Sequence, residues 1–258
     1  MEELTIMINN KNLAIFIILF NICLLKAELS AASDIKVAVA SNFKLAMEAL
    51  ATSYEEQTNK KVAIISGATR KLFTQIKHGA PFDIFYAADI ISPKILEKEH
   101  FGVAGSRYTY AIGQLVLWSP QANYIDAKGD ILKLGNFKHL AMANPKLAPY
   151  GKAAQEVLQK MNLFDSFSKK IVQGENISQT FHFINTRSVP LGFVSWPQLK
   201  SLENYTGGSW WVVPQDIYTP IKQQVVLLNK KEEAQNFFKF VKSNEGEKII
   251  KQFGYHVP

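Results

Sequence analysis

The chain reads as an α/β protein of the doubly wound kind, arranged as two α/β units. Three observations carry that reading. From Ile35 onward, short apolar or alternating runs take turns with stretches of helical period, the pattern of a largely parallel sheet covered by helices. Two longer apolar runs, 108–118 and 221–228, stand apart from the short ones and are placed to join one unit to the other. Finally, two hydroxyl-bearing turns, Ala40-Ser41-Asn42-Phe43 and Gly67-Ala68-Thr69-Arg70, sit where a strand feeds a helix. Ligands of open α/β sheets bind at such places.

The elements follow in order. Ile35-Lys36-Val37-Ala38-Val39 alternates as a strand, and Phe43, Met47, Leu50 and Tyr54 then fall on one face of a helix opened by Ser41-Asn42. Residues 62–65 form a short buried strand. Leu72, Phe73 and Ile76 give the next helix its apolar face, and Gly79-Ala80-Pro81 ends it, because glycine suits the position after the cap and proline cannot continue the helix. Asp83-Ile84-Phe85-Tyr86-Ala87 is a third strand, with Asp89 placed to cap a helix through Ile95-Leu96. The run 108–118 reads as one long strand containing Gly113. A strand at 139–143, helices at 150–160 and 177–185, and a strand at 189–194 make the second unit. The strand 221–228 returns to the first, and helices 232–242 and 245–252 close the chain, the last ended by Gly254.

Residues 1–32 differ from the rest. Lys11 precedes the 13-residue apolar run 13–25, broken only by Asn21, and Ser30-Ala31-Ala32-Ser33 follows. A short apolar core followed by small residues describes a secretory signal peptide, cleaved near residues 31–33 and too short for a membrane span. Cleavage removes the one cysteine, Cys23, so the exported chain has no disulfide and depends on its core. It also removes two lysines and three glutamates, raising the net charge by one from +7. Such a charge suits nucleic acid, an anionic surface or a small anion. No basic run or nucleic-acid motif supports the first.

A helix start presents free N–H groups and a partial positive charge, so two of them facing one cleft can hold an anion. Taken alone, Ser41 and Thr69 are more often plain helix caps. Catalysis finds less support. The chain has no Gly-x-Ser-x-Gly elbow, no clustered His/Asp pair and no cofactor motif. Its five histidines (His78, His100, His139, His182 and His256) lack metal-ligand spacing. Asp83 and Asp89 read as strand-end and cap residues, and Trp196, Trp210 and Trp211 as core.

One segment is more specific. Gly79-Ala80-Pro81-Phe82-Asp83-Ile84-Phe85-Tyr86-Ala87-Ala88-Asp89 resembles a segment of the periplasmic molybdate-binding proteins. Those proteins are the capture components of molybdate ABC transporters. Tyr110 through Pro120, Ala143-Asn144-Pro145, Pro149-Tyr150-Gly151, Pro190-Leu191-Gly192 and Phe253-Gly254-Tyr255 match in the same order, so the resemblance spans nearly the whole exported chain. It implies a type II periplasmic-binding-protein fold with lobe I at 33–114 plus 225–258, lobe II at 115–224, and two crossing strands as hinge. It further implies a monomer that captures molybdate, and tungstate, and delivers it to an inner-membrane permease. No nucleic acid, cofactor or metal is implied, other than the molybdenum of the oxyanion. Carried over residue by residue, Ser41, Asn42 and Thr69 are donors from lobe I; Tyr150 and Ile177 donate backbone N–H groups from lobe II. Thr69 stands where many members have Ser. Ser195 stands where some have a Tyr that reaches the anion, and the Tyr150 hydroxyl is the candidate replacement. Arg70 is the charged neighbour of the site, its side chain placed to point outward. The alternatives are a receptor of this fold for sulfate or phosphate, and, more remotely, a secreted α/β hydrolase.

Overall fold

Two five-stranded sheets, each flanked by helices, make up the structure. The computed structural model describes residues 35–202 and 208–258. The expected signal peptide at 1–32 with Cys23, and Asn204-Tyr205-Thr206, a glycosylation sequon by pattern alone, lie outside the described residues. In chain order the strands are β1 (Ile35–Ala40), β2 (Val62–Gly67), β3 (Ile84–Ala87), β4 (Tyr108–Gly113), β5 (Leu115–Ser119), β6 (Leu140–Ala143), β7 (Ile171–Gly174), β8 (Gly192–Ser195), β9 (Ser209–Val212) and β10 (Ile221–Leu227). The helices are α1 (Lys44–Thr58), α2 (Thr69–Lys77), α3 (Ile91–Lys98), α4 (Ile131–Leu134), α5 (Pro149–Lys160), α6 (Phe164–Phe167), α7 (Ile177–Asn185), α8 (Trp196–Lys200), α9 (Glu232–Val241) and α10 (Asn244–Gln252).

The first sheet has the order β2-β1-β3-β10-β4 and the second β7-β6-β8-β5-β9. Each has parallel strands at its centre and one antiparallel intruder, β10 in the first and β5 in the second. Successive side chains of a strand point to opposite faces, and here both faces are dry. Val37, Val39, Ile84, Tyr86 and Val225 join one cluster with Met47, Leu50 and Phe237, while Ala38, Phe85 and Val226 join Leu72, Ile76 and Leu96 on the other face. The second sheet repeats the arrangement: Leu117, Met142 and Phe193 pack with Val157, and Val116, Ala141 and Val194 pack with Ile184. Only Lys36 breaks the burial of β1. The closing helices α9 and α10 bury Phe237, Val241 and Ile250 against the first sheet.

Asp83 fastens the first sheet at its lower edge. Its carboxylate accepts from Lys36 N at 2.7 Å, Asn229 Nδ2 at 2.7 Å and Lys231 Nζ at 2.9 Å. Burial opposes its ionisation, but these bonds outweigh burial and hold its pKa below the ordinary aspartate value. Asp89 caps the turn into α3 through Ser92 N and Oγ, and burial raises its pKa despite those bonds. Gly79 and Gly254 follow the ends of α2 and α10 with φ of 86° and 85°, a conformation that costs glycine little.

Four expectations are corrected. The run 108–118 is not one strand: the chain changes sheet at Gln114, whose carbonyl accepts from Trp196 N at 3.0 Å. Hydropathy is continuous across that point because both strands are buried. The strand expected at 189–194 begins only at Gly192 and ends on Ser195. Strands β7 and β9 were not expected, being short and flanked by polar residues. Of the three tryptophans at 196, 210 and 211 expected in the core, Trp211 is buried and Trp196 packs beside Trp118, but Trp210 is 48% exposed on the strand face opposite Trp211.

Candidate functional site

The first lobe presents two turns at the ends of β1 and β2. After Ala40 the chain makes one 3-10 turn, Ser41–Phe43, and runs directly into α1; all three turn residues are buried. The turn is held from below. Asn42 Nδ2 donates to Gln223 Oε1 at 2.7 Å and to the Tyr255 hydroxyl at 3.0 Å, and Tyr255 OH donates back to Asn42 O at 2.7 Å. The Phe43 ring sits edge-on to Tyr110 and Tyr255. With its side chain so engaged, Asn42 has its backbone N–H to offer. Ser41 Oγ bonds to nothing among the described residues, although Ser41 is only 7% exposed. Thr69 opens α2 and is 1% exposed. Its Oγ1 accepts from Ala88 N at 3.2 Å, which occupies a lone pair and leaves the O–H proton to be given elsewhere.

The second lobe presents two helix starts. Pro149 is the first residue of α5, so the first N–H there is that of Tyr150. Tyr150 is 1% exposed, and its ring runs to the hinge. The hydroxyl lies against Gly113 and near Gln223 Nε2, and neither polar atom has a hydrogen-bond partner among the described residues. Gly151 is packed so tightly on the Ala143 carbonyl that a Cβ would collide with it. At α7, Asn176 is the cap: its side-chain oxygen accepts from Ser178 N and Gln179 N, both at 3.0 Å. The cap therefore takes the second and third N–H groups and leaves that of Ile177, at the first position, without an intrahelical acceptor.

The two lobes meet at these same turns. Ser178 Oγ donates to Ser41 O at 3.1 Å, Arg70 N donates to Leu147 O at 3.1 Å, and Lys71 pairs with Glu175 at 2.6 Å. These contacts bring Ser41 beside Ile177, and Thr69 toward the loop that leads into Tyr150. The turns that carry the five residues expected from the sequence thus adjoin one another across the two lobes, and the groups they leave over are neutral N–H and O–H donors. The Arg70 guanidinium is turned aside, 5.0 Å from the centre of the Phe73 ring. Together with Asp89, Lys152 and Pro149 it lines a separate cavity of about 530 Å³, and that cavity includes none of the five. Among the described residues, no group of three His, Cys, Asp or Glu side chains is placed to hold a metal ion.

Three further residues were missed from sequence. Gln223 holds Asn42 from the crossing strand β10. Gln198 is the second: it accepts from the Oγ of Ser195, a residue the sequence did single out, at 2.9 Å, so Ser195 is not a free donor. Gln198 in turn reaches Ile177 O, and Ser178, the third, crosses to Ser41. A glutamine three residues after a serine at a helix start is the one signal that pointed to any of them.

Comparison with known proteins places these features. Residues 35–256 match the model of the bacterial extracellular solute-binding proteins. The molybdate-binding protein ModA of Azotobacter vinelandii is 44% identical over 87% of this chain and 90% of its own length. The protein of the same name from Rhodobacter capsulatus is 42% identical over 88% and 89%. The solved structure of the periplasmic molybdate-binding protein of Azotobacter vinelandii superposes with a TM-score of 0.84 at 36% identity, covering 87% of this chain and all of that one.

Proposed function

This chain belongs to the family of bacterial extracellular solute-binding proteins, and we infer that it is the receptor that captures molybdate outside the cytoplasm and delivers it to an ABC permease. It is a transport protein, not an enzyme, and molybdate is its cargo. The observation that carries the reading is the meeting of four helix-start turns whose donors are neutral and left over after the protein's own bonds are counted. The ligands we assign are the Ser41 hydroxyl, the Asn42 N–H, the Thr69 hydroxyl, and the N–H groups of Tyr150 and Ile177. Lobe I, near 33–114 and 225–258, and lobe II, near 115–224, close on the anion about the crossing strands. Residues 1–32 act as the signal peptide, and the exported protein works as a monomer in the periplasm.

The physics of such a site is a matter of replaced hydration. A dianion entering a dry cleft loses its water shell, which is prohibitive unless hydrogen bonds replace it. Each bond to a charged acceptor is worth about 1.5–3 kcal/mol, so several together offset the loss. Neutral donors suffice because helix starts add their own partial positive charge. Tungstate has the same charge and nearly the same size, and we propose that it binds as well. Sulfate has the same charge and shape but is smaller, so a cavity fixed for the longer metal–oxygen bonds cannot bring all donors onto it at once.

Thermal unfolding with and without anion tests the reading. Ligand at 1,000 times its dissociation constant adds about 4 kcal/mol to stability. Millimolar molybdate is expected to raise the melting temperature well above any change produced by sulfate. If molybdate left it unmoved and sulfate or phosphate raised it, the cargo would be the other anion.

A further inference from the structure

We propose that Ser178 is a latch between the lobes, and that Gln198 is the positioning residue that aims it. The inference rests on the site proposed above and adds to it a device that holds the site shut. Ser178 follows the donor Ile177 on α7, and its hydroxyl crosses from the second lobe to the carbonyl of Ser41 on the first, at 3.1 Å. That carbonyl already accepts the N–H of Lys44 at the start of α1. It uses its second lone pair for Ser178, so neither lobe gives up an internal bond to make the link. The bond joins the neighbour of one ligand residue to the backbone of another. It exists only while the two turns face each other.

Gln198 makes the latch directional. Its Oε1 accepts from both Ser195 N at 3.1 Å and Ser195 Oγ at 2.9 Å. Ser195 is wholly buried and Gln198 is 6% exposed. A backbone N–H can only donate, so the carboxamide must present oxygen to Ser195 and nitrogen to the other side. That nitrogen donates to Ile177 O at 3.2 Å and lies 3.5 Å from Ser178 Oγ. An N–H aimed at Ser178 Oγ favours the rotamer in which Ser178 sends its own proton to Ser41. The relay thus runs from the end of β8 through Gln198 and Ser178 to the first lobe. Ser195, too short to reach the anion itself, acts here at one remove by orienting the turn that carries Ile177.

A contact made only after closure acts on release rather than on encounter. The test is stopped-flow kinetics of molybdate binding and release with the exported chain, alongside melting curves with and without molybdate. Ser178→Ala is expected to release molybdate roughly three- to tenfold faster, the loss of one neutral hydrogen bond, with an unchanged association rate. The melting temperature of the unliganded protein should stay at the wild-type value, and Ser178→Thr, which keeps the hydroxyl, should restore slow release. Gln198→Met should speed release in the same direction, and adding Ser178→Ala to it should bring little more. Wild-type protein that binds molybdate and a Ser178→Ala variant that releases it at the wild-type rate would overturn the latch. Equal additive effects of the two substitutions would remove Gln198 from it. A wild type that binds no molybdate at all would overturn the reading of the site, and the latch with it.

Discussion

The two lobes offer donors of different kinds to the same cleft. In the proposed site the first lobe relies mainly on side chains, beside the one backbone N–H of Asn42: the hydroxyl of Ser41, free of any bond among the described residues, and that of Thr69, whose lone pair is held by Ala88 N. The second lobe uses backbone N–H groups at the starts of α5 and α7, while the side chains of Tyr150 and Ile177 are buried in its core. A side-chain donor can be deleted without moving the chain that carries it. A backbone donor can be disturbed only by moving the chain. The same chemical job is therefore exposed to point substitution in one lobe and shielded from it in the other.

The sharpest way to break that contrast is to move the second lobe's backbone. Gly151→Ala places a methyl group against the Ala143 carbonyl, a backbone atom that cannot rotate away. The start of α5 must shift, and with it the Tyr150 N–H. Overpacking of this kind costs about 1–3 kcal/mol of stability. Loss of one charged-acceptor bond and loosening of its neighbours should weaken molybdate binding about 100-fold, or roughly 2.7 kcal/mol. Calorimetric titration of a folded Gly151→Ala variant checks this. Wild-type affinity there would detach α5 from the site.

Deletion in the first lobe should act more cleanly. Ser41→Ala and Thr69→Ala are each expected to weaken binding by about 1.5–3 kcal/mol, the value of one bond to a charged acceptor. The two should differ without ligand. Ser41→Ala leaves the unliganded melting temperature unchanged, whereas Thr69→Ala lowers it, because Ala88 N loses its buried acceptor. Thr69→Ser should restore both properties. Unchanged affinity in both alanine variants would take the hydroxyls out of the site.

Much of this contrast was legible in the sequence, but unevenly. Ser41 and Thr69 could be read from the residues, since a hydroxyl between a strand and a helix has a chemical use there. Tyr150 and Ile177 could not, because a backbone N–H leaves no mark on residue identity; they entered through resemblance alone. The supporting bonds were out of reach for a different reason. Gln198 meets Ile177 from 21 residues away, Ser178 meets Ser41 from 137, and Gln223 meets Asn42 from 181. No local pattern encodes such pairings. The fold class followed from alternating periods, yet the change of sheet at Gln114 did not, since hydropathy reports burial and is silent on which sheet does the burying.

The carboxylate that fastens the first lobe gives a smaller effect, visible in pH. Asp83 has a folded pKa below its ordinary value. Its contribution is therefore complete at neutral pH, remains above the unfolded value, and is lost as pH falls through the folded value. Asp83→Asn should lower the melting temperature at pH 7, by about 1–2 kcal/mol of stability. It should also flatten the acid side of the stability curve below about pH 4. Molybdate affinity should hardly change, because Asp83 ties β3 to β1 and to the end of β10 on the side away from the donor turns. A wild-type acid limb in the variant would show that other carboxylates set it.

The smallest expected effect is the most discriminating for the second lobe. If Tyr150 acts only through its N–H, then its hydroxyl is dispensable. That hydroxyl is buried beside Gly113 and Gln223 without a well-formed hydrogen bond, and burial raises its pKa well above the ordinary tyrosine value, the nearby Gln223 amide opposing this only in part, so it stays neutral. Removing a buried polar group that has no partner relieves its desolvation cost. Tyr150→Phe should thus leave molybdate affinity within about twofold of wild type and leave the unliganded protein as stable or slightly more so. A loss comparable to that of Ser41→Ala would reverse the assignment. The hydroxyl would then belong to the anion's shell, replacing the long donor that Ser195 cannot supply, and the second lobe would share the first lobe's dependence on side chains.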